Sequence, residues 1–432
     1  MFENAPVFRL RWLGKLRWLS AQPSQLSQPP QQVNSNTVHI FNSLMIKIFL
    51  KPKKDEALFR QHPWIFSGAI RKIEGEASDG DRAAVHNSKG QHVATGHYHD
   101  GSIAVRILSF EKTLLDQHFW DERINNAKVY REQLGFPNGQ TNCYRLIHGE
   151  GDGLSGLIVD VYGETVVMQC HSIGMHREKE FIIAALRKAL PSITAIYDKS
   201  SDALPAQYAT TMSDGYIFGK SSPGMVVEHG HRFWVDWEIG QKTGFFLDQR
   251  DNRQKLSQYV NGKKVLNAFC YSGGFSIYAL HAGASAVHSI DASKKAMEWT
   301  DKNVSLNPTD VSHVSITGNV LEYLKICEPY EVMVIDPPAF AKNMSKRHNA
   351  VQGYKRLNAM AMEKILPGGI LFTFSCSQVI DSQLFYNTIV AAAIEAGRKM
   401  RVMHHLSQPP DHPVNIFHPE GAYLKGLVLR ID

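Results

Sequence analysis

Beyond about His231 the chain alternates short apolar runs with stretches of helical period, and that alternation leaves few solutions other than an open parallel sheet wrapped by helices. Strands are expected at 265–266, 286–290, 314–317, 332–335, 370–374 and 401–405, with helices at 275–282, 294–306, 320–326, 351–365 and 382–396 between them. The closing run 422–430, which follows the last helix, reads as an antiparallel edge strand. The expected class is α/β, a Rossmann-like doubly wound sheet with an antiparallel last strand.

Two of these strands end in reactive side chains. Val332-Met-Val-Ile335 breaks off into Asp336-Pro337-Pro338-Ala339-Phe340, and Ile370 to Phe374 breaks off into Ser375-Cys376-Ser377. Both breaks fall on the carboxyl edge of a parallel sheet, where open α/β folds bind ligands. A thiol and a carboxylate would meet there, Cys376 as a nucleophile and Asp336 as a hydrogen-bonding or proton-donating partner. A serine-flanked thiol reads as polar and accessible, although most unpaired cysteines are inert small hydrophobes. Asp336 also fits a plain turn residue held rigid by the two prolines.

Asn267-Ala-Phe-Cys-Tyr-Ser-Gly273-Gly274-Phe275 follows a strand and opens a helix, so its backbone can approach a ligand at a positive helix end. Asp291 closes the next strand, where a carboxylate commonly grips ribose hydroxyls. The loop lacks the G-x-G-x-x-G spacing that accommodates a pyrophosphate, which favours a smaller nucleoside cofactor over a dinucleotide.

Ahead of this half, short strands at 46–50, 83–85, 92–95 and 103–108 suggest a small β-barrel. Within it, Trp64 and Phe66 beside Arg71 and Lys72 read either as an RNA-stacking surface or as core. A helical connector is expected near 114–134. It is followed by a hairpin over 156–168, a helix at 176–190 and a strand at 195–197, with no titratable constellation that looks catalytic. The organisation is then 45–112 a small β-barrel, 113–138 a helical connector, 139–230 a central α+β domain and 231–432 the ligand-binding domain. Residues 1–44 mix Arg9, Arg11, Lys15 and Arg17 with Trp12 and Trp18, then turn rich in Gln, Ser and Pro. They are expected to be a disordered or mis-started extension ahead of Met45, with a basic presequence or RNA-grasping arm as the alternative.

A net charge of +6 is compatible with a polyanionic partner without demanding one. Five cysteines with no CxxC pair indicate neither a disulfide framework nor a zinc site, and no metal is expected. No apolar stretch approaches the roughly 20 residues needed to cross a bilayer, so a cytoplasmic protein with no membrane partner is expected.

At these residues the chain resembles the class I S-adenosylmethionine-dependent methyltransferases, and more closely the bacterial 23S rRNA cytosine-C5 methyltransferase family. The likeness runs from about Met45 to Asp432. Its strings are His62-Pro-Trp-Ile-Phe-Ser-Gly-Ala-Ile70, His148-Gly-Glu-Gly-Asp-Gly-Leu154, Gly240 to Arg250, Asn267 to Phe275, Asp336-Pro-Pro338, Phe374-Ser-Cys-Ser377 and Pro419-Glu-Gly421. The resemblance implies an N-terminal PUA domain, a central α/β domain and a catalytic methyltransferase fold. It implies methylation of cytosine C5 in 23S rRNA, free or in a ribosomal particle, through a covalent adduct on Cys376. It also implies S-adenosylmethionine contacts from Phe245, Leu247, Asp248, Gln249, Asn267, Phe269, Gly273, Gly274 and Asp336, with Asp291 on the ribose and Asn319 and Val320 on the adenine. Similar sequences usually carry an acidic residue at the position of Asn319. Many RNA cytosine-C5 enzymes have a second cysteine where Ala339 and Phe340 follow the Asp-Pro motif, which leaves product release without an assigned base. Uridine-C5 transfer, amino-group transfer from the Asp336 to Phe340 element and a non-catalytic ribosome assembly factor remain alternatives. A homodimer is compatible with the sequence, which does not fix the oligomeric state. Lys346, Arg347, Lys355 and Arg356 are candidate clamps for RNA phosphates.

Overall fold

The computed structural model describes residues 45–341 and 343–432, and Leu44–Asp432 forms one compact unit. The reading of residues 1–44 lies outside the described residues. Among the described residues three large sheets and one two-stranded hairpin follow one another along the chain.

The first has six strands in the order Trp64–Phe66, Ile103–Ser109, His92–Tyr98, Arg82–His86, Ile46–Leu50 and Ile70–Glu74. Ile48, Leu50, Ile65, Val85, Val105 and Ile107 fill its core. Because strand side chains alternate, Ile65 turns inward while its neighbours turn out. Phe66 is 51% exposed. Trp64 is neither core nor free platform: its indole N–H donates to Glu150 Oε1 at 2.9 Å.

The second sheet orders Gly215–Gly219, Ala195–Asp198, Thr165–Cys170, Leu157–Tyr162 and Cys143–His148. The helix Gln117–Gln133, expected as a connector, is instead a layer of this domain. Asp116 caps it, accepting from the Phe119 N–H, and Phe119, Trp120, Ile124 and Ala127 enter the same core as Ile182 and Leu186. The single helix expected at 176–190 is two, Ile173–Arg177 and Lys179–Ala189. They meet at Glu178, whose buried carboxylate takes both a 2.7 Å and a 2.6 Å bond from Arg82 of the first sheet. Gly174 allows that approach, since a Cβ there would stand 2.4 Å from the His97 ring.

A hairpin of Gly224–Glu228 and His231–Val235 joins the second sheet to the third. The domain boundary expected between 230 and 231 falls in its turn, and Val226, Phe233 and Val235 all pack into the core of the third sheet. That sheet runs Ser312–Thr317, Ala286–Asp291, Lys264–Ala268, Tyr330–Ile335, Ile365–Ser375, Lys425–Ile431 and Met400–Leu406. The first five are parallel and helices cover them as the alternation requires. The helix Lys294–Leu306, for example, starts at Ser293, whose hydroxyl accepts from the Ala296 N–H, and buries Ala296, Met297, Trp299, Thr300 and Asn303 as one stripe. Lys425–Ile431 is antiparallel as expected but not an edge strand, since it pairs with Ile365–Ser375 on one side and Met400–Leu406 on the other. The cause is burial. All of Lys425–Ile431 except Arg430 is buried, whereas Met400–Leu406 is partly exposed throughout, so the more apolar strand takes the interior place.

A buried charge cluster fastens the second and third sheets. Arg250 donates two bonds to Asp411 (3.0 and 2.6 Å), and both side chains are inaccessible. The same carboxylate accepts from the Arg145 N–H at 3.0 Å, the Asp411 carbonyl accepts from Arg131 at 2.7 Å, and Arg131 also pairs with Asp152. Burial alone would push the Asp411 carboxyl up, but His412 and Arg250 outweigh it and hold it well below the usual carboxylate range. Asp411→Ala strands the Arg250 guanidinium, and its urea midpoint should fall by the equivalent of about 3–5 kcal/mol. Asp432→Ala, which breaks the surface pair with Arg401, should cost less than about 1 kcal/mol in the same titration.

Candidate functional site

The carboxyl ends of the parallel strands open onto a cavity of about 540 Å³. Phe269 to Ser272 forms one wall, and Phe269, Tyr271 and the following Gly273 all have positive φ (59°, 50° and 78°). Two of these residues carry side chains that resist such angles, so the loop holds strain offset by fixed contacts. The Tyr271 N–H donates to Asp291 Oδ2 at 3.0 Å, the Tyr271 hydroxyl to the Gly244 carbonyl at 3.1 Å, and Thr300 Oγ1 to the Tyr271 carbonyl at 2.9 Å. Gly273 does not line the cavity. A Cβ there would sit 2.8 Å from Thr300, so the glycine serves the tight turn into the helix Gly274–His281.

Asp291 lines the cavity with its carboxylate oriented by two backbone donors, Tyr271 and Ser293. Asn319 and Val320 lie on the same wall. The Asn319 carbonyl oxygen accepts from the Leu321 and Glu322 N–H groups and caps the helix Val320–Ile326, which spends its acceptor end and leaves the NH₂ end as donor. Phe245, Asp248, Gln249, Phe269 and Gly274 also reach the cavity. Leu247 and Asn267 do not, each being 1% exposed. Leu247 belongs to the core beneath, and Asn267 donates to Ser276 Oγ at 2.8 Å.

Asp248, Asp336 and Cys376 line the same cavity, and the charges of both carboxylates act on the Cys376 sulfur. The Tyr423 hydroxyl donates to Asp248 Oδ2 at 2.7 Å, while Asp248 Oδ1 is buried with no hydrogen-bond partner. A carboxylate oxygen left bare beside an apolar wall suits the ammonium or sulfonium charge of an adenosylmethionine, and the pair-accepting Asp291 suits its ribose, so the residues present fit that cofactor. Burial and then the charge of Asp248 push the Asp336 carboxyl up to about 7, against a 2.9 Å bond from Gln249 Nε2 that pulls it down. Cys376 alone among the five cysteines is not fully buried. Burial first, then Asp336 and Asp248, push its thiol up to about 11. The flanking serines are not what makes it accessible, because Ser375 and Ser377 are themselves buried and Ser377 donates to the Ala341 carbonyl at 2.8 Å.

Several residues were not anticipated. Lys425 Nζ donates to the carbonyls of Ser377 (2.7 Å) and Tyr423 (2.6 Å), clamping the turn that bears Cys376; burial lowers this ammonium to about 8. A lone lysine opening an apolar strand was the available signal. Gln241, Phe246, Tyr271 and Leu424 also line the cavity. The central domain, read as lacking chemistry, braces the segment that leads to Phe245: Arg145 grips Asp160 with two 2.8 Å bonds, and Asp160 accepts from Thr243 at 2.6 Å. Among the candidate RNA clamps, Arg347 and Lys355 are paired with Asp381 and Glu395. Lys346 is exposed, and Arg356 is exposed at the cavity mouth.

Known proteins place this arrangement. The model of an S-adenosylmethionine-dependent methyltransferase family matches residues 203–430, and that of a PUA-like domain matches residues 48–110. The ribosomal RNA large subunit methyltransferase I of Aeromonas salmonicida is 38% identical over 396 residues, covering 90% of this chain and 100% of that protein. The Escherichia coli protein of the same name is 38% identical over 397 residues with the same coverage. Among solved structures, a chain described as a methyltransferase complexed with SAH superposes with a TM-score of 0.78 at 23% identity, covering 89% of this chain and all of that one. The fold is therefore the methyltransferase fold preceded by a PUA-like domain, as the sequence led one to expect, and no helix among the described residues is long and apolar enough to cross a membrane. The chain belongs to the S-adenosylmethionine-dependent methyltransferases, in the family of the ribosomal RNA large subunit methyltransferases I, and its cofactor is S-adenosylmethionine.

Proposed function

We propose that the protein methylates C5 of a cytosine in large-subunit ribosomal RNA through a covalent adduct on Cys376. The observation that carries this reading is that the one partly exposed thiol shares its cavity with a carboxyl group poised near neutrality. The names of the most similar relatives support the RNA target.

Phe245, Asp248, Gln249, Phe269, Gly274, Asp291, Asn319 and Val320 would hold S-adenosylmethionine, with Leu247, Asn267 and Gly273 shaping the walls behind them. When bound, that group supplies an electrophilic methyl. A cytosine C5 is too weak a nucleophile to take it unaided. Addition of the Cys376 thiolate to C6 turns C5 into an enamine-like carbon, and Asp336 in its acid form stabilises the charge that develops on the ring. After C5 is substituted, loss of its proton and expulsion of Sγ restore the ring. Lys425 holds the Cys376 turn and sets a positive charge beside the sulfur. Pairing of the bare Asp248 oxygen removes one of the charges that raise both Asp336 and Cys376. Arg356 at the mouth offers a guanidinium to a phosphate of the target strand.

Cys376→Ala should abolish both the denaturation-resistant RNA adduct and methyl incorporation. Mass spectrometry of digested RNA from the wild-type reaction should find 5-methylcytidine. A 5-methyluridine or N4-methyl product would redirect the reading to one of its rivals.

The pH dependence has a definite sign. Asp336 ionises at about 7 and Cys376 at about 11, so between these values the two groups share one proton, and the reactive form carries it on Asp336. Below about 7 both are protonated, and kcat/KM for RNA should fall as the pH drops through that value. Asp336→Asn should lower the rate by about 10²–10⁴-fold and shift this limb to higher pH, because only ionisation of the thiol itself then yields the thiolate. The same substitution should stabilise the protein in alkali. A carboxyl whose folded pKa lies above its ordinary 3.8 costs stability progressively from there up to about 7, so the Tm advantage of the variant should be full at pH 8 and absent near pH 4.

A further inference from the structure

His62 and Glu420 fall in two of the strings that carry the family likeness, yet neither reaches the cavity. They meet elsewhere. His62 stands two residues ahead of Trp64–Phe66, the edge strand of the first sheet, and His418 and Glu420 bracket Pro419 in the loop between Met400–Leu406 and Lys425–Ile431. His62 Nε2 lies 3.9 Å from Glu420 Oε1 and His418 Nε2 lies 3.8 Å from Glu420 Oε2, with one ligand atom from each of the three within 4.8 Å of the others.

His418 is the unusual member. It is 3% exposed, and neither of its ring nitrogens has a hydrogen-bond partner. Its ring packs edge-on against Trp64 at 4.3 Å and lies 5.5 Å from the His62 ring. An imidazole buried with both nitrogens unused is costly, and a ligand at Nε2 would recover part of that cost. His62 is held by the start of the following strand, its Nδ1 lying 3.2 Å from the Trp64 N–H, which donates to it, and 3.3 Å from the Trp64 carbonyl, so that Nε2 is the nitrogen left facing Glu420. The turn Pro419–Gly421 holds His418 and Glu420 two residues apart, closed by the Gly421 N–H to the His418 carbonyl at 3.1 Å. Glu420, with a side chain 57% exposed, can close the remaining distance and leaves a fourth position open to water. The nearby Arg106 charge is offset by Glu150 at 3.5 Å.

We propose that His62, His418 and Glu420 form a binding site for a divalent cation of the zinc class, which staples the PUA-like sheet to the C-terminal loop of the methyltransferase domain. Two histidines and a carboxylate with one open position are a sufficient set for Zn²⁺ at about 2.0–2.2 Å, and the atoms need to draw together by about 0.5–1.5 Å to reach tetrahedral spacing. The ion would act structurally, by joining segments more than three hundred residues apart and adding its binding free energy to the folded state. This site is independent of the Cys376 chemistry.

The test uses the full chain, freed of metal by dialysis against chelator and titrated with ZnCl₂ by calorimetry and by thermal melting. One equivalent should bind and raise the Tm. His418→Gln and Glu420→Gln should each weaken Zn²⁺ at least about tenfold and remove the Tm rise. Titration with CoCl₂ should give a spectrum without thiolate-to-cobalt charge transfer, which separates this site from the five cysteines. Glu420→Gln alters an exposed side chain and remains a readable variant even if His418→Gln fails to fold. The proposal is overturned if the folded wild-type protein takes up no Zn²⁺, if Glu420→Gln binds it as tightly as wild type, or if the cobalt spectrum shows thiolate ligation.

Discussion

The buried pairing of Arg250 with Asp411 is the constraint on which the arrangement of this molecule rests. A guanidinium without access to water is tolerable only beside a fixed anion, and Asp411 is such an anion because Arg145 and His412 also bond its carboxylate. Arg131 joins the cluster through the Asp411 carbonyl, so the helix Gln117–Gln133, the central sheet and the methyltransferase domain converge on one residue of one loop. An apolar seam tolerates small sliding, whereas a seam of bidentate bonds accepts a single register. The loop that carries Asp411 then runs on to Tyr423, whose hydroxyl meets Asp248, and to Leu424 at the cavity wall. Anchoring far from the chemistry thus sets the position of groups within it.

The cavity itself works against stability. Asp248 and Asp336 raise the proton affinity of Cys376, Asp248 does the same to Asp336, and the wall beside them holds two side-chain-bearing residues at positive φ. The protein leaves one of these charges unanswered, since Asp248 Oδ1 has no partner. A cation there would offset it. Surplus negative charge and a fixed backbone at this cavity suit a positively charged ligand, and the rest of the chain must supply enough burial to carry the cost.

Much of this was legible in the sequence because it is local. Strand and helix periods, the glycine turn at 273–274 and the strand ends at Asp336 and Ser375 depend on residues a few places apart. What escaped depends on distant pairing. Arg145 finds Asp160 across a hairpin and Asp411 through more than two hundred residues of chain, and no spacing rule announces either. Leu247 and Asn267 sit in segments whose neighbours do line the cavity, but the direction of a side chain in a turn or at a strand end follows from φ and ψ that a string of letters does not give. The connector helix was misjudged for a similar reason: its apolar stripe was visible, while the surface that receives it is assembled from strands that come later.

The place of the last strand shows how a topological detail becomes a chemical one. Its apolar run permitted an edge or an interior position, and the choice was decided by comparison with Met400–Leu406, whose residues can bear solvent. Inside the sheet, Lys425 stands opposite Ser375, within reach of the Ser377 carbonyl. At the edge it would lie a further strand away, about 4.8 Å more along the sheet, and its ammonium would no longer flank the sulfur. Cys376 would then face two carboxylates with no opposing charge from its own sheet. The antiparallel strand is thus less a closure of the fold than the means by which a cation is delivered next to a thiol that is otherwise held protonated.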